Sequence, residues 1–247
     1  MKVSVIIPAC DAGSVIGRAV ASVIAQTYAD WELIVVSDDG SDYRQRLAAL
    51  GIEDPRLRFV STGGVRTGCH HARNVGLAAA SGGLIAALDA DDLFYHNRLA
   101  VLAPLAQAHG AAVDNPAVVL EDSGAVLYRA FGSARDSIAL DYAGMLALSV
   151  PLFPVVRRDH AQPRLAGIEY GEDFVANLRL IGRIGGLVAV PETLSEYRVV
   201  TGSLCHDAGS VMAFDRSYEA LIGRMAEGDG LDLPVAARTV VQAGLVR

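Results

Sequence analysis

The sequence is poor in cysteine and carries no excess of basic residues. Its three cysteines, Cys10, Cys69 and Cys205, are too few and too scattered for a disulfide framework or a zinc site built from paired cysteines. We therefore expect reduced thiols and a cytoplasmic location. The chain has 21 lysines and arginines and 28 aspartates and glutamates, which gives a net charge of −7. This charge favours neither a groove that binds nucleic acid nor a surface that binds anionic membranes.

Long hydrophobic runs are also lacking. The apolar opening at residues 3–8 is short and ends at Pro8, so it predicts a strand and not a signal peptide. The longest uncharged run, residues 143–156, contains two prolines and is too short to cross a bilayer. With no repeat, low-complexity tract or clear linker, the sequence predicts one domain over residues 1–205 and a helical tail over residues 206–247.

The first half alternates short apolar runs with helical patterns. Strands are expected at residues 3–8, 31–37, 57–61 and 84–89. Helices are expected between them, around residues 15–24, 43–50 and 72–80, with Ser14 as the N-cap of the first. Such a series predicts an α/β fold with a mostly parallel, Rossmann-like central sheet and helices on both faces.

The second half is less regular. Residues 117–130 predict a hairpin that turns at residues 122–124, and residues 172–183 predict a helix that Gly185 ends. Two further apolar runs, residues 186–190 and 194–200, are candidate strands.

The tail carries an apolar stripe at helical spacing, with mixed charge on its other faces. A helix lying on a membrane is expected to be richer in lysine and arginine, so we expect docking on the core or on a second subunit. The stripe comprises Val211, Phe214, Tyr218, Leu221, Ile222 and Met225.

Acidic residues follow three of the predicted strands. Asp11 follows the first, Asp38 and Asp39 follow the second, and the segment "LDADD" ends the fourth. Ligands of parallel sheets gather at these carboxyl ends, and an Asp-x-Asp there offers hard oxygen ligands to Mg²⁺ or Mn²⁺. The alternative from the motif alone is a capping Asp92 with solvated neighbours.

The order of these segments resembles the family 2 glycosyltransferases of the GT-A fold. The resemblance lies in "SVIIPACDAG", "VVSDDGSD", "ARNVG" and "LDADD", and it covers roughly residues 2–96, with weaker similarity to about residue 200. It implies a nucleotide-sugar-binding half at residues 1–96 and an acceptor-binding half at residues 97–205. The implied reaction is a metal-dependent, inverting transfer from a UDP-sugar to a hydroxyl of a saccharide, lipid-linked glycan or small molecule.

The resemblance also implies roles for particular residues. The nucleotide base and ribose would contact Pro8, Ala9, Asp11 and Asp39. Arg73 would contact the nucleotide, Asp89 the ribose and metal, and Asp91 the metal. In "YGEDFVANLRL", Asp173 would be the catalytic base and Glu172 its support, although a helix N-terminus also favours two acids without any catalytic role.

Two departures from the family pattern and one histidine-containing segment concern the site. Cys10 stands where the family often has an aromatic residue that stacks on the base, which leaves the choice of donor open. Val200 stands where a histidine is often found, and His206 is the nearest replacement as a metal ligand. The segment "GCHHARN" is interpreted as a loop lining the cleft, because adjacent histidines point in different directions and rarely share an ion.

Two other functions remain as alternatives. A nucleotidyltransferase would be expected to carry a Gly- and Lys/Arg-rich triphosphate loop, and "ACDAGSVIG" has neither a lysine nor the G-x-G-x-x-G pattern. The same absence argues against a dinucleotide dehydrogenase. A non-catalytic sugar-nucleotide-binding or scaffold protein could keep the fold without turnover.

Overall fold

The computed structural model describes residues 1–148, 150–168 and 171–199, with residues 216, 219–221, 223–225, 227, 238–240 and 243 of the tail. The first part of the chain alternates strands and helices. In order, its elements are β1 (Val3–Ala9), α1 (Ile16–Ile24), β2 (Trp31–Ser37), α2 (Tyr43–Ala49), β3 (Leu57–Ser61), α3 (Cys69–Ala79), β4 (Leu84–Ala87), β5 (Leu93–Phe94) and α4 (Arg98–His109). The sequence predicts this series as far as β4, but it does not predict β5 and α4.

The second part contains shorter strands and two helices. Its elements are β6 (Ala111–Val113), β7 (Ala117–Leu120), β8 (Val126–Arg129), β9 (Ile138–Leu140), α5 (Tyr142–Leu146), β10 (Val155–Arg157), α6 (Glu172–Ile184), β11 (Leu187–Ala189) and β12 (Ser195–Val199). The hairpin of β7 and β8, helix α6 and strands β11 and β12 confirm the predictions for this half.

An eight-stranded sheet has the order β3-β2-β1-β4-β10-β6-β11-β9. The first four of these strands are parallel, with Val3 opposite both Trp31 on β2 and Leu84 on β4. Strand β10 then runs antiparallel to both of its neighbours. The predicted mostly parallel central sheet is therefore confirmed, and its parallel part carries the carboxyl ends where the acids lie.

Alternate residues of β1 and β2 face different helical layers, because successive side chains of a strand point to opposite sides. Val3, Val5 and Ile7 share a core with residues of α1 and α4, whereas Ile6 shares a separate core with Ala72 of α3. Helix α3 comes very close to β1: a Cβ on Gly76 would lie 2.4 Å from a methyl carbon of Ile6. Glycine at this position lets α3 place its first turn beside the strand ends.

A second, four-stranded sheet has the order β5-β12-β7-β8 and lies beside a core formed largely by the second half. Leu221 and Met225 of the tail are buried in this core with Leu178 of α6. At these two positions the tail docks on the core. The predicted stripe residues Val211, Phe214, Tyr218 and Ile222 lie outside the described residues.

Two local predictions are wrong. Helix α1 has Val15 as its N-cap, without a capping side chain, because the backbone N–H groups of Val15 and Ile16 donate to the carbonyl of Ala12. Ser14 is therefore not the cap. Helix α3 begins at Cys69, so His70 and His71 lie in its first turn and not in a loop. Among the helices described, none is long and apolar enough to cross a membrane.

Candidate active site

The carboxyl ends of β1, β2 and β4 meet the beginning of α3 around a cleft of about 450 Å³. This volume is within the range of small-molecule sites, about 300–1,000 Å³. A separate, mostly apolar cavity between α3 and α6 measures only about 70 Å³ and is too small for a nucleotide. The cleft is lined by Pro8, Ala9, Cys10, Asp11, Asp38, Arg66, Cys69, Asp89 and Asp91, among others.

Asp39 ties the loop after β1 to the loop after β2. Its carboxylate accepts hydrogen bonds from the backbone N–H of Asp11 at 2.7 Å, from that of Ser41 at 2.9 Å and from the Tyr43 hydroxyl at 2.8 Å. Burial by itself would raise the pKa of Asp39, but these hydrogen bonds lower it to about 2. Asp39 is thus an ionised anchor of both loops.

Asp38, which sequence analysis did not assign to the site, organises the segment before α3. Its buried carboxylate accepts bonds from the hydroxyls of Thr62 at 2.8 Å and Thr67 at 2.5 Å, and from the N–H of Gly68 at 3.0 Å. These bonds outweigh burial and lower its pKa. Its place next to Asp39 in "DDGS" could have indicated that Asp38 belongs to the site. The sequence alone, however, did not show that the two aspartates have different partners.

Asp11 and Arg66 form an exposed ion pair at the cleft. Both residues have a left-handed backbone, with φ of 53° and 54°, which is uncommon for residues other than glycine. The N–H of Arg66 also donates to the carbonyl of Asp38 at 2.6 Å. The pair therefore joins the loop after β1 to the segment that leads into α3.

Arg73 connects two acids that are far apart in the sequence. One end of its buried guanidinium contacts Asp89 after β4, and the other contacts Glu172 at the start of α6. Burial alone would lower the pKa of Arg73, but nearby negative groups, Asp89 foremost, raise it above its ordinary value. Arg73 therefore stays protonated and places a positive charge between the cleft and α6.

The three acids of "LDADD" have different surroundings. Asp92 is buried, accepts the N–H of Arg198 at 2.8 Å, and has a pKa well above its ordinary value because of burial and the charges of Asp89 and Asp91. Asp91 lies at the open side of the cleft. The surrounding protein atoms displace water from its carboxylate, and the negative charge of Asp89 repels it, so the pKa of Asp91 is raised to about 6. Asp92 thus has a structural role, and Asp89 and Asp91 face the cleft.

Asp89 and Asp91 both line the cleft and are candidate ligands for a divalent cation. Their mutual repulsion is the kind that a cation relieves, and Asp89 uses one oxygen, Oδ1, for Arg73. Elsewhere at the cleft, potential ligand atoms of Cys10, Asp11 and Asp39 lie within 4.8 Å of one another. In that group Asp39 already accepts several hydrogen bonds and Asp11 pairs with Arg66. His206 lies outside the described residues.

Glu172 and Asp173 open α6, as the sequence predicts, next to Arg73 and a second arginine, Arg164. Burial raises the pKa of Asp173, while the positive charges of Arg73 and Arg164 oppose that rise. Sequence analysis gave no role to Arg164, which precedes α6 in an irregular segment without any periodic pattern.

The parallel sheet, with acids at the ends of β1, β2 and β4 around a nucleotide-sized cleft, defines a GT-A-type α/β fold. The model of glycosyl transferase family 2 matches residues 4–143, more than half of the 247-residue chain. The chain therefore belongs to this family, and the resemblance found in the sequence is confirmed.

Two named relatives illustrate the similarity. The chain is 42% identical over 97 residues to the UDP-Glc:alpha-D-GlcNAc-diphosphoundecaprenol beta-1,3-glucosyltransferase WfgD of Escherichia coli, which covers 39% of this chain and 38% of that protein. It is 39% identical over 122 residues to the succinoglycan biosynthesis protein ExoO of Rhizobium meliloti, which covers 49% of this chain and 34% of that protein. The matches thus span well under half of either relative.

Solved structures share the whole fold at low sequence identity. Residues 1–349 of S. aureus TarS in complex with UDP-GlcNAc match with a TM-score of 0.75 and 16% identity, over 100% of this chain and 72% of that chain. The same part of TarS in complex with UDP matches with a TM-score of 0.73. At this identity the match shows the fold alone, including its less regular second half.

Proposed function

We propose that the protein transfers a sugar from a UDP-sugar donor to a hydroxyl group of an acceptor, with inversion at the anomeric carbon. The observation that carries the proposal is the placement of Arg73 between Asp89 at the cleft and Glu172 beside Asp173. Family membership supports the reaction class. The UDP-glucose named for WfgD and the UDP and UDP-GlcNAc complexes of TarS support a uridine donor.

The donor occupies the cleft in this proposal. The nucleotide base and ribose lie against Pro8, Ala9, Asp11 and the loop that Asp39 anchors, with Asp89 on the ribose side. Asp91, with Asp89, would hold Mn²⁺ or Mg²⁺. A bound cation supplies positive charge that stabilises the leaving diphosphate. Buried Arg73 acts on the donor chiefly by orienting Asp89.

The acceptor reacts on the side of α6. Its oxygen forms a bond to the anomeric carbon while the bond from that carbon to the diphosphate oxygen breaks. The acceptor proton passes to Asp173, and the nucleoside diphosphate leaves with the negative charge. The raised pKa of Asp173 makes it a better proton acceptor than an ordinary solvated aspartate. A single displacement of this kind inverts the anomeric configuration.

A binding screen tests the donor assignment. Calorimetry with UDP, GDP, UDP-glucose and UDP-GlcNAc, each with and without Mn²⁺, should give its tightest binding with a uridine nucleotide in the presence of the metal. Turnover of the bound UDP-sugar with saccharide or lipid-linked acceptors should then release UDP. Binding without turnover for every acceptor would favour the scaffold alternative, and release of pyrophosphate from UTP with a sugar phosphate would favour a nucleotidyltransferase.

A further inference from the structure

Arg164 shares Glu172 with Arg73. Its Nε lies 3.4 Å from Oε2 of Glu172, and Arg73 contacts Oε1 of the same carboxylate. The side chains of Arg164, Glu172 and Arg73 are exposed by only 17%, 7% and 7%. Buried charges are costly unless opposite charges meet them, and this carboxylate serves as a counterion for both arginines.

Asn74 holds Arg164 by its backbone. The Asn74 amide Nδ2 donates to the carbonyl of Arg164 at 3.0 Å, and the N–H of Arg164 donates to Oδ1 of Asn74 at 2.7 Å. On the other side, Nη1 of Arg179 donates to the carbonyl of Pro163 at 2.7 Å. The segment that carries Arg164 is therefore fixed between α3 and α6, independently of the Arg164 side chain.

The charges around Asp173 come from three parts of the chain. Arg73 belongs to α3, Asp89 follows β4, and Arg164 precedes α6. Burial, followed by the like charge of Arg73, lowers the pKa of Arg164 to about 10. Arg164 nevertheless stays positive at neutral pH and opposes the rise in the pKa of Asp173.

We propose that Arg164 is a positioning residue for acceptor activation. Asn74 holds Arg164 in place, and Arg164 and Arg73 together neutralise the charge of Glu172. The other end of Arg73 then remains paired with Asp89. In this way Arg164 keeps the first turn of α6, which carries Asp173, next to the donor side of the site. The inference rests on the proposed function, because Asp173 acts as a base only if the protein transfers a sugar.

Steady-state kinetics of Arg164→Met, Asn74→Ala and the double variant test this role. Arg164→Met should lower kcat about tenfold or more and change the donor KM by less than about twofold, since the lost interaction concerns the chemical step. Asn74→Ala should lower kcat less. The double variant should be no slower than Arg164→Met, because Asn74 acts through Arg164 and the two losses are not additive.

Two further variants separate positioning from general structural damage. Arg158→Met is the matched control, since the Arg158 guanidinium bonds the carbonyls of Ala80 and Gly82 outside the site, and its kcat should stay unchanged. Arg164→Lys keeps the positive charge and should recover part of the lost kcat. If Arg164→Met fails to fold, Arg164→Lys and Asn74→Ala carry the comparison, and wild-type kcat in both would overturn the inference.

A titration separates this inference from the proposed function. In wild-type protein and Arg164→Met, the carboxyl ¹³C signal of Asp173 is followed against pH, and its midpoint should move to higher pH when the Arg164 charge is lost. Arg158→Met should leave the midpoint in place. A wild-type protein that transfers no sugar overturns the proposed function, whereas an unmoved midpoint, or additive losses in the double variant, overturns the role of Arg164.

Discussion

Arg73 in α3 and Asp89 after β4 form an ion pair beside the cleft, and the same guanidinium contacts Glu172 in α6. The pair fixes one carboxylate oxygen of Asp89 and leaves Asp91 as the more open acid of the motif. One buried arginine thus connects the strand end that faces the cleft with the helix that carries Asp173.

The first prediction concerns the stability of this connection. Arg73→Met leaves Asp89 and buried Glu172 short of a counterion, and breaking a buried ion pair from one side typically costs about 3–5 kcal/mol. The free energy of unfolding, measured with urea, should fall by this order. The exposed pair of Arg66 and Asp11 is the comparison, and Arg66→Met should cost no more than about 1 kcal/mol. An equal loss of unfolding free energy in the two variants would contradict the prediction that the buried contacts of Arg73 stabilise the fold more than the exposed pair does.

The second prediction concerns metal binding. Asp91→Asn should weaken Mn²⁺-dependent UDP binding by roughly tenfold, about 1.4 kcal/mol, and leave the fold intact. Without metal it should relieve repulsion with Asp89, so the melting temperature should not fall. Calorimetry with and without Mn²⁺ makes the measurement, and Asp122→Asn in the exposed β7–β8 turn is the control. Unchanged Mn²⁺-dependent binding would reject Asp91 as a metal ligand.

The third prediction concerns the base. Asp173→Asn should lower the rate of sugar transfer by about 10²–10⁴-fold, because asparagine cannot accept the acceptor proton. UDP affinity should be nearly unchanged, since Asp173 is not among the residues that line the cleft. Turnover, UDP affinity and melting temperature are measured on one preparation, with exposed Asp136→Asn as the control. Near-normal turnover with a lowered melting temperature would mean that Asp173 is only a first-turn acid.

The fourth prediction concerns acid stability at the other end of the sheet. Burial alone would raise the pKa of Glu32, but hydrogen bonds from Ser4, Ser81 and Arg58 lower it well below its ordinary value. A carboxyl with a lowered folded-state pKa stabilises the protein above its unfolded pKa, and the contribution is lost as the pH falls. Glu32→Gln should cost about 1–3 kcal/mol near pH 7.

In that variant the unfolding free energy should also depend less on pH below about 4.5, the ordinary pKa of glutamate. Urea denaturation between neutral pH and pH 3 measures this slope, and exposed Glu53→Gln should retain the wild-type slope. A Glu32→Gln variant with the same acid dependence as the wild type would show that Glu32 is not the group responsible.

The fifth prediction concerns the tail. Leu221→Ala removes a buried side chain from the core around α6, and changes of this kind cost about 2–5 kcal/mol. Val240→Ala, at an exposed position of the tail, should change the unfolding free energy by less than about 0.5 kcal/mol. Binding of a peptide of residues 206–247 to anionic vesicles, together with an unaffected Leu221→Ala variant, would instead favour the membrane-surface alternative.

The sequence by itself determined strands β1 to β4, the helices between them and the place of the acids. A strand that is buried on both faces, such as residues 31–37, needs apolar side chains at nearly every position. The resulting short apolar run is visible in the sequence. The hairpin, the start of α6 and its end at Gly185 also follow from local chemistry, since turn residues and a left-handed glycine mark them. The family resemblance rests on the same short segments.

Only the tertiary structure decided what each charged group contacts. Periodicity assigns a residue to a face of its own element, but it does not say which distant residue it meets. The partners of Arg73 come from β4 and α6, Asn74 bonds a segment near residue 164, and buried Asp92 bonds β12. These contacts depend on how strands and helices pack in three dimensions. The packing also distinguishes the acids of "LDADD": Asp89 and Asp91 face the cleft, whereas buried Asp92 stabilises the fold.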